Sequence, residues 1–172
     1  MVVVGIGHDL RGDDAAGVLA ARRLQGYTIG ADVGATHMLP LLAIDAGPAP
    51  ENVTGAVRRF APDLVLLVDA ADLGEPPGTV RWLDWRETSG LSASTHALPL
   101  YVLAGYLVSE LGCAVALLGI QPASTAFDAP PTPAVHAAAD AVAAGLHELL
   151  SCHPGDHALP NGTSPAPYTV AE

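Results

Sequence analysis

The chain begins with the stretch Val2-Val-Val-Gly5-Ile-Gly7-His8-Asp9-Leu-Arg-Gly-Asp13-Asp14-Ala-Ala-Gly17. Its β-branched run breaks at two glycines, and a pair of aspartates then precedes an alanine-rich segment. This order predicts a buried strand, a tight loop, and a helix that opens at Asp13 or Asp14 and runs to about Leu24. A strand, a loop and a helix in this order form the first half of a βαβ unit.

The same alternation continues along the chain. Apolar runs predict buried strands over residues 41–44, 63–68 and 114–120, and an edge strand over 79–83. Helices are predicted over residues 51–60, from 99 to 111, and from 132 to about 150, where Leu146 and Leu149 are expected to face inward; residues 26–38 are expected to form a long connector. The order favours an α/β fold, a three-layer α/β/α sandwich around a mostly parallel twisted sheet of about five strands. We expect one domain over residues 1–150 and a flexible C-terminal tail over 151–172.

The composition and the net charge of the chain argue against some classes of binding partner. Half of the 172 residues are apolar and the formal net charge is −11, which argues against nucleic acid and against anionic membrane surfaces. The N-terminus does not resemble a signal peptide, and no apolar run approaches the roughly 20 residues that span a bilayer. We therefore expect a cytoplasmic protein without membrane insertion.

Candidate functional residues follow the predicted strands. Asp14 comes after the first strand, Asp45 after the second and Asp69 after the third, while His96 precedes the helix that starts near residue 99 and Gln121 follows the last strand. In a sheet of this kind the functional crevice lies beyond the carboxyl ends of the strands. These side chains are therefore expected to border one crevice.

Each acid also has a structural interpretation. Asp13 is expected to cap the first helix, which leaves Asp14 free to point into the crevice. Asp69 ends the most apolar strand and is favoured as functional, while Asp45 could equally bond the amides of a turn. Two carboxylates and an imidazole suit a divalent cation such as zinc or nickel, and without metal the same three groups could do acid–base chemistry.

A dinucleotide site is the competing interpretation of the glycine loop. Leu10 stands where the fingerprint needs its third glycine. The pyrophosphate would also meet the acids at the helix start, and charges of the same sign repel there. A nucleotide-binding domain is therefore disfavoured.

The chain resembles the [NiFe]-hydrogenase maturation proteases, and the resemblance covers about residues 2–150. It is carried by five ordered blocks: Gly5-Ile-Gly7 with Gly12-Asp13-Asp14 and Gly17, Ile44-Asp45-Ala-Gly47, Leu67-Val-Asp69-Ala70 with Gly74 and Pro77-Gly78, Ser94-Thr95-His96 with Pro99-Leu100, and Leu118-Gly-Ile-Gln-Pro122. Ala49-Pro50-Glu51-Asn52 and Gly119-Ile-Gln-Pro122 are similar to the hydrogenase-3 type.

This resemblance implies a function and a site. It implies an aspartyl-type endopeptidase that removes a short C-terminal peptide from the nickel-loaded precursor of a hydrogenase large subunit, completing its maturation. Asp14, Asp69 and His96 would engage nickel, which belongs to the substrate and is not a resident cofactor. Asp45 is a second candidate for acid–base or positioning work, and the family implies a monomer.

Two points stay open at this level. The family usually has Asn where this chain has His8, and that residue could add a fourth ligand or alter how the loop meets the substrate. An alternative function is a non-catalytic, metal-sensing checkpoint or chaperone-like module that binds the same partner without cutting it.

Overall fold

The computed structural model describes residues 1–30, 40–87 and 98–151. Five strands in this part of the chain form one sheet with the order β2-β1-β3-β5-β4. The strands are β1 Val2–Ile6, β2 Leu42–Gly47, β3 Leu64–Ala70, β4 Val80–Leu83 and β5 Ala114–Ile120; the helices are α1 Ala16–Gly30, α2 Thr54–Phe60, α3 Leu100–Leu111 and α4 Pro133–Ser151, with 3-10 turns at Gly12–Ala15, Pro50–Val53 and Trp85–Glu87.

The sheet is mostly parallel, as the alternation of strands and helices predicts. β1 pairs in parallel with β2 and β3, and β3 pairs in parallel with β5, while β4 runs antiparallel to β5. The short β4 lies at the edge, which confirms the prediction for this segment. None of the described helices is long and apolar enough to cross a membrane.

Helices cover both faces of the sheet and form two apolar cores. Leu66 and Val68 of β3 pack in the core under α1 and α4, whereas Val65 and Leu67 pack in the core under α2 and α3. Because side chains alternate along a strand, Asp69 shares the face of Leu67 and points toward the α2/α3 layer. The three-layer α/β/α architecture is confirmed.

Two details differ from the prediction. Helix α1 continues to Gly30 instead of ending near Leu24, because Leu24 is buried in the core with α4 and Gln25 donates from Nε2 to the carbonyl of Ala43 at 2.9 Å. Leu149, expected on the inner face of α4, is 71% exposed. The four-residue β4 is too short to cover the side of α4 that carries Leu149. The tail beyond Ser151, connector residues 31–39 and the 88–97 loop lie outside the described residues.

Candidate functional site

The glycines near the N-terminus allow the start of α1 to pack directly against the end of the sheet. Gly7 has φ +137°, and a β carbon there would clash with the carbonyl of Asp14. A β carbon on Gly17 would lie 2.5 Å from the carbonyl oxygen of Ile6 and would also clash with that of Val68. Only glycine permits this approach, and it carries Asp14 over the carboxyl edge of β1 and β3.

Asp14 and Asp69 meet at this edge as a pair of buried carboxyl groups, 7% and 9% exposed respectively. Burial, together with the smaller effect of the charge of Asp14, raises the pKa of Asp69 to about 7, although the N–H of Ala70, donating to Oδ1 at 2.8 Å, acts in the opposite direction. Burial also raises the pKa of Asp14, although the backbone N–H of His8 and the charge of Arg11 oppose the shift. Near neutral pH the Asp69 carboxyl group is therefore present in both its protonated and its ionised form.

A pair in this state can do two kinds of chemistry. One ionised and one protonated carboxyl group can act as base and acid in the same reaction. Carboxylate oxygens also ligate divalent cations, and a cation bound here would balance the negative charges of the two ionised groups.

The third predicted ligand, His96, lies outside the described residues. Among the residues that are described, no group of three His, Cys, Asp or Glu side chains could hold a metal ion. The structure brings together two members of the predicted set, Asp14 and Asp69, and the part assigned to His96 stays a prediction.

Asp13 has a different role from the one predicted. The 3-10 turn that precedes α1 has Arg11 at its N-cap without a side-chain cap bond. The Asp13 carboxylate instead accepts hydrogen bonds from the N–H groups of Ala123 (2.7 Å), Ser124 (3.3 Å) and Thr132 (2.6 Å), and from the Thr132 hydroxyl (3.0 Å). These four bonds outweigh the effect of burial, so the pKa of Asp13 is lowered. The expected cap is a buried anchor for the loop between β5 and α4.

Asp45 is tied to neighbouring elements. Its Oδ1 accepts from the N–H of Gly47 at 3.0 Å, and its Oδ2 accepts from Nε of Arg22 at 2.7 Å. The same guanidinium binds Asp9 through both carboxylate oxygens. This is the arrangement expected of an aspartate that accepts a hydrogen bond from a turn amide. The charge of Asp45 is also balanced by its ion pair with Arg22.

Two further residues that were expected to border the crevice form hydrogen bonds that stabilise nearby loops. Gln121 accepts at Oε1 from the N–H groups of Leu73 (2.6 Å) and Glu75 (3.3 Å), so it shapes the loop that follows β3. Nδ1 of His8 accepts from the N–H of Leu10 at 3.1 Å. In the neutral ring this bond places the proton on Nε2, which opposes a role for His8 as a fourth metal ligand.

Arg11 is a site residue that the sequence prediction missed. Its positive charge opposes the rise in the pKa of Asp14. The available signal was its position three residues before Asp14, a spacing that brings side chains together within one helical turn.

The fold is that of an α/β protein with two buried carboxyl groups at the carboxyl edge of its sheet, where α/β enzymes have their functional crevice. Residues 35–148 match the family model described as hydrogenase maturation protease. The Hydrogenase 3 maturation protease of Escherichia coli K12 is 34% identical over 142 residues, which are 82% of this chain and 85% of the relative.

Solved structures agree with these sequence matches. The crystal structure of a [NiFe] hydrogenase maturation protease from Thermococcus kodakarensis KOD1 superposes with a TM-score of 0.76 at 36% identity, covering 88% of this chain and 92% of that one. The solution structure of an endopeptidase from Escherichia coli gives 0.71 at 34% identity over 86% and 88% of the two chains. The chain belongs to the hydrogenase maturation protease family, and its enzyme class is that of a hydrolase, a peptidase.

Proposed function

We propose that this protein cuts a short C-terminal peptide from the precursor of a [NiFe]-hydrogenase large subunit once that precursor carries nickel. The observation that supports the proposal most directly is the Asp14–Asp69 pair, two carboxyl groups buried at the edge of the sheet, both with raised pKa values. Membership of a family of hydrogenase maturation proteases supports the class of substrate.

Nickel is treated as part of the substrate in this proposal. Ionised carboxylates bind a divalent cation, so docking of the precursor's nickel onto Asp14 and Asp69 releases the proton that Asp69 partly retains near pH 7. His96, placed by sequence on the loop before α3, supplies the third ligand. Binding of the loaded precursor is therefore expected to strengthen as the pH rises through about 7.

Two routes to peptide-bond cleavage fit the pair. A carboxylate of Asp14 or Asp69 can remove a proton from an attacking water, or the metal can polarise the scissile carbonyl. In both routes water attacks the carbonyl carbon, a carboxylate of the pair accepts the proton that this water gives up, and the resulting carboxyl group passes the proton to the amide nitrogen as the C–N bond breaks. Asp45, held by Arg22, is assigned to positioning the first loop rather than to the proton transfers.

The direct test compares nickel-loaded with nickel-free precursor under reducing, anaerobic conditions, with the intact mass of the precursor as readout. We expect the mass of a short C-terminal peptide to be lost only from the nickel-loaded form. An unchanged precursor mass in both incubations, with folded enzyme, contradicts the proposal.

The checkpoint alternative is not favoured, because the related proteins are endopeptidases. It is distinguished by Asp14→Asn and His96→Ala. A pure binding module would lose affinity for the partner in these variants, yet the wild type would never change the precursor mass. We further propose that the protein acts as a cytoplasmic monomer.

A further inference from the structure

A pocket lies between α2 and α3, outside the acid pair. Its volume is about 230 Å³, and its lining comes from the 3-10 turn before α2, from the start of α2, from the residues just before α3 and from α3 itself. The lining residues are Glu51, Thr54, Leu98, Val102, Leu103 and Tyr106. We call it the α2–α3 pocket.

The topology places this pocket on the same edge and in the same layer as Asp69. Helices α2 and α3 lead directly into the parallel strands β3 and β5, so both helices begin at the carboxyl edge of the sheet, where Asp69 ends β3. Asp69 also points to the sheet face that α2 and α3 cover, because it continues the row of Val65 and Leu67. A peptide chain that reaches Asp69 from this side therefore passes the α2–α3 pocket.

The surface inside the pocket is largely apolar because the two hydroxyl groups in its lining already have partners. The Thr54 hydroxyl donates to the carbonyl of Glu51 at 2.8 Å, and the Tyr106 hydroxyl accepts from Nη2 of Arg58 at 2.8 Å. What remains for a ligand is the methyl of Thr54, the ring of Tyr106 and the aliphatic lining. Val102, a residue of this lining, is 40% exposed.

The volume fits a side chain. An apolar cavity of roughly 150 Å³ suffices to bind benzene, so about 230 Å³ accepts one large aliphatic or aromatic side chain. The charged lining residue is the exposed Glu51, and it lies in a chain with a net charge of −11. An acidic peptide segment would be repelled here, whereas a neutral or basic segment would not.

We propose that the α2–α3 pocket is a substrate subsite that binds a large apolar side chain from the non-acidic segment next to the cleaved bond, with Val102 as its specificity-determining contact. The subsite rests on the proposed function, since it takes a residue of the peptide that the enzyme would cut. A side chain bound in the pocket fixes the position of the peptide relative to the acid pair. A single apolar residue therefore determines which peptide bond of the precursor is cut.

The test uses a pair of matched variants on α3. Val102→Gln puts a polar amide in the pocket, and Val108→Gln makes the same change at a residue that is 38% exposed and does not line the pocket. Steady-state cleavage of nickel-loaded precursor is measured for each. We expect Val102→Gln to raise KM at least tenfold with kcat little changed, since small changes in an apolar contact alter recognition by about ten- to hundredfold. Val108→Gln should match the wild type.

Substrate variants identify the occupant. Each apolar residue near the cut in the precursor is replaced by Ala in turn and assayed with the wild type and with Val102→Gln. One replacement should lower kcat/KM about tenfold with the wild type and little with Val102→Gln, which is the coupling expected of two groups in contact. Equal KM values for the two glutamine variants, or the absence of coupling at every position, overturn the subsite.

Binding separates failure of the subsite from failure of the proposed function. The affinities of the wild type, Val102→Gln and Val108→Gln for the loaded precursor are measured by biolayer interferometry alongside cleavage. If the wild type binds without cutting and only Val102→Gln binds more weakly, the pocket stands as a recognition site and the peptidase step is what fails. If the wild type neither binds nor cuts, both proposals are overturned.

Discussion

The buried carboxyl group of Asp69 is expected to reduce the stability of the folded protein as the pH approaches neutrality, and Asp69→Asn removes this effect. Asn has the size of the neutral acid, and its side-chain oxygen can still accept the hydrogen bond from the N–H of Ala70. The variant should therefore be more stable than the wild type at pH 8, although its cleavage activity should be lost.

The magnitude follows from the two pKa values of Asp69. In the unfolded chain the group ionises with a pKa near 3.8, and in the folded protein near 7. Below pH 4 both states are protonated and there is no difference. Between these values the unfolded chain loses its proton first, so stability falls with rising pH, by about 1.4 kcal/mol per pH unit. Above pH 7 the loss levels off at about 4 kcal/mol.

Urea denaturation at pH 4 to 8 measures this difference, with Asp63→Asn as control. Asp63 is exposed and precedes the opposite end of the same strand. The free energy of unfolding of Asp69→Asn minus that of the wild type should rise from near zero to about 4 kcal/mol, while the control difference stays flat. A flat difference for Asp69→Asn, or a wild type that gains stability relative to it as the pH rises, refutes the assigned burial and charge of this site.

Three further predictions test the acid pair and its surroundings. Asp14→Asn should lower the pKa of Asp69 from about 7 without returning it to its usual value, since burial is the larger cause; carbon-13 carboxyl NMR titration measures this, and an unchanged pKa contradicts the pairing. Asp13→Asn should lower the free energy of unfolding by about 3 kcal/mol at pH 7 because it turns an amide donor toward N–H donors. The loss should shrink as the pH falls from 3.8, the pKa of the group in the unfolded chain, toward the lowered pKa of the folded protein; urea denaturation at pH 7 and pH 3 measures it. Gly17→Ala should lower the free energy of unfolding by at least about 3 kcal/mol, because the added methyl group overpacks against the Ile6 backbone. Gly26→Ala, in open space on the same helix, should raise it by up to about 1 kcal/mol. Similar melting temperatures for the two variants would show that α1 does not pack as described.

The fold and the placement of Asp14 and Asp69 at one edge of the sheet were predictable because both depend on local order along the chain. Strands that alternate with helices place all parallel strand ends at one edge, so Asp14 and Asp69 could be placed together without knowing any distance. The edge position of β4 followed in the same way from its alternating pattern.

What the sequence did not predict depends on contacts between distant residues. Asp13 has the local pattern of a helix cap, but its partners Ala123 and Thr132 are 110 and 119 residues away. The extension of α1 past Leu24 depends on its packing against the sheet and α4. The α2–α3 pocket joins residues from 51 to 106, and no periodicity in either segment indicates that they meet.

The most direct test of the central claim is the single-turnover rate at which nickel-loaded precursor loses its C-terminal peptide. The wild type, Asp14→Asn, Asp69→Asn and the control Asp63→Asn are compared by intact mass, after circular dichroism has shown that each is folded. We expect the control to cut at the wild-type rate and both asparagine variants of the acid pair to be slower by at least about a hundredfold. A folded Asp14→Asn or Asp69→Asn variant that cuts at the wild-type rate would contradict the assignment of the acid pair as the site of cleavage.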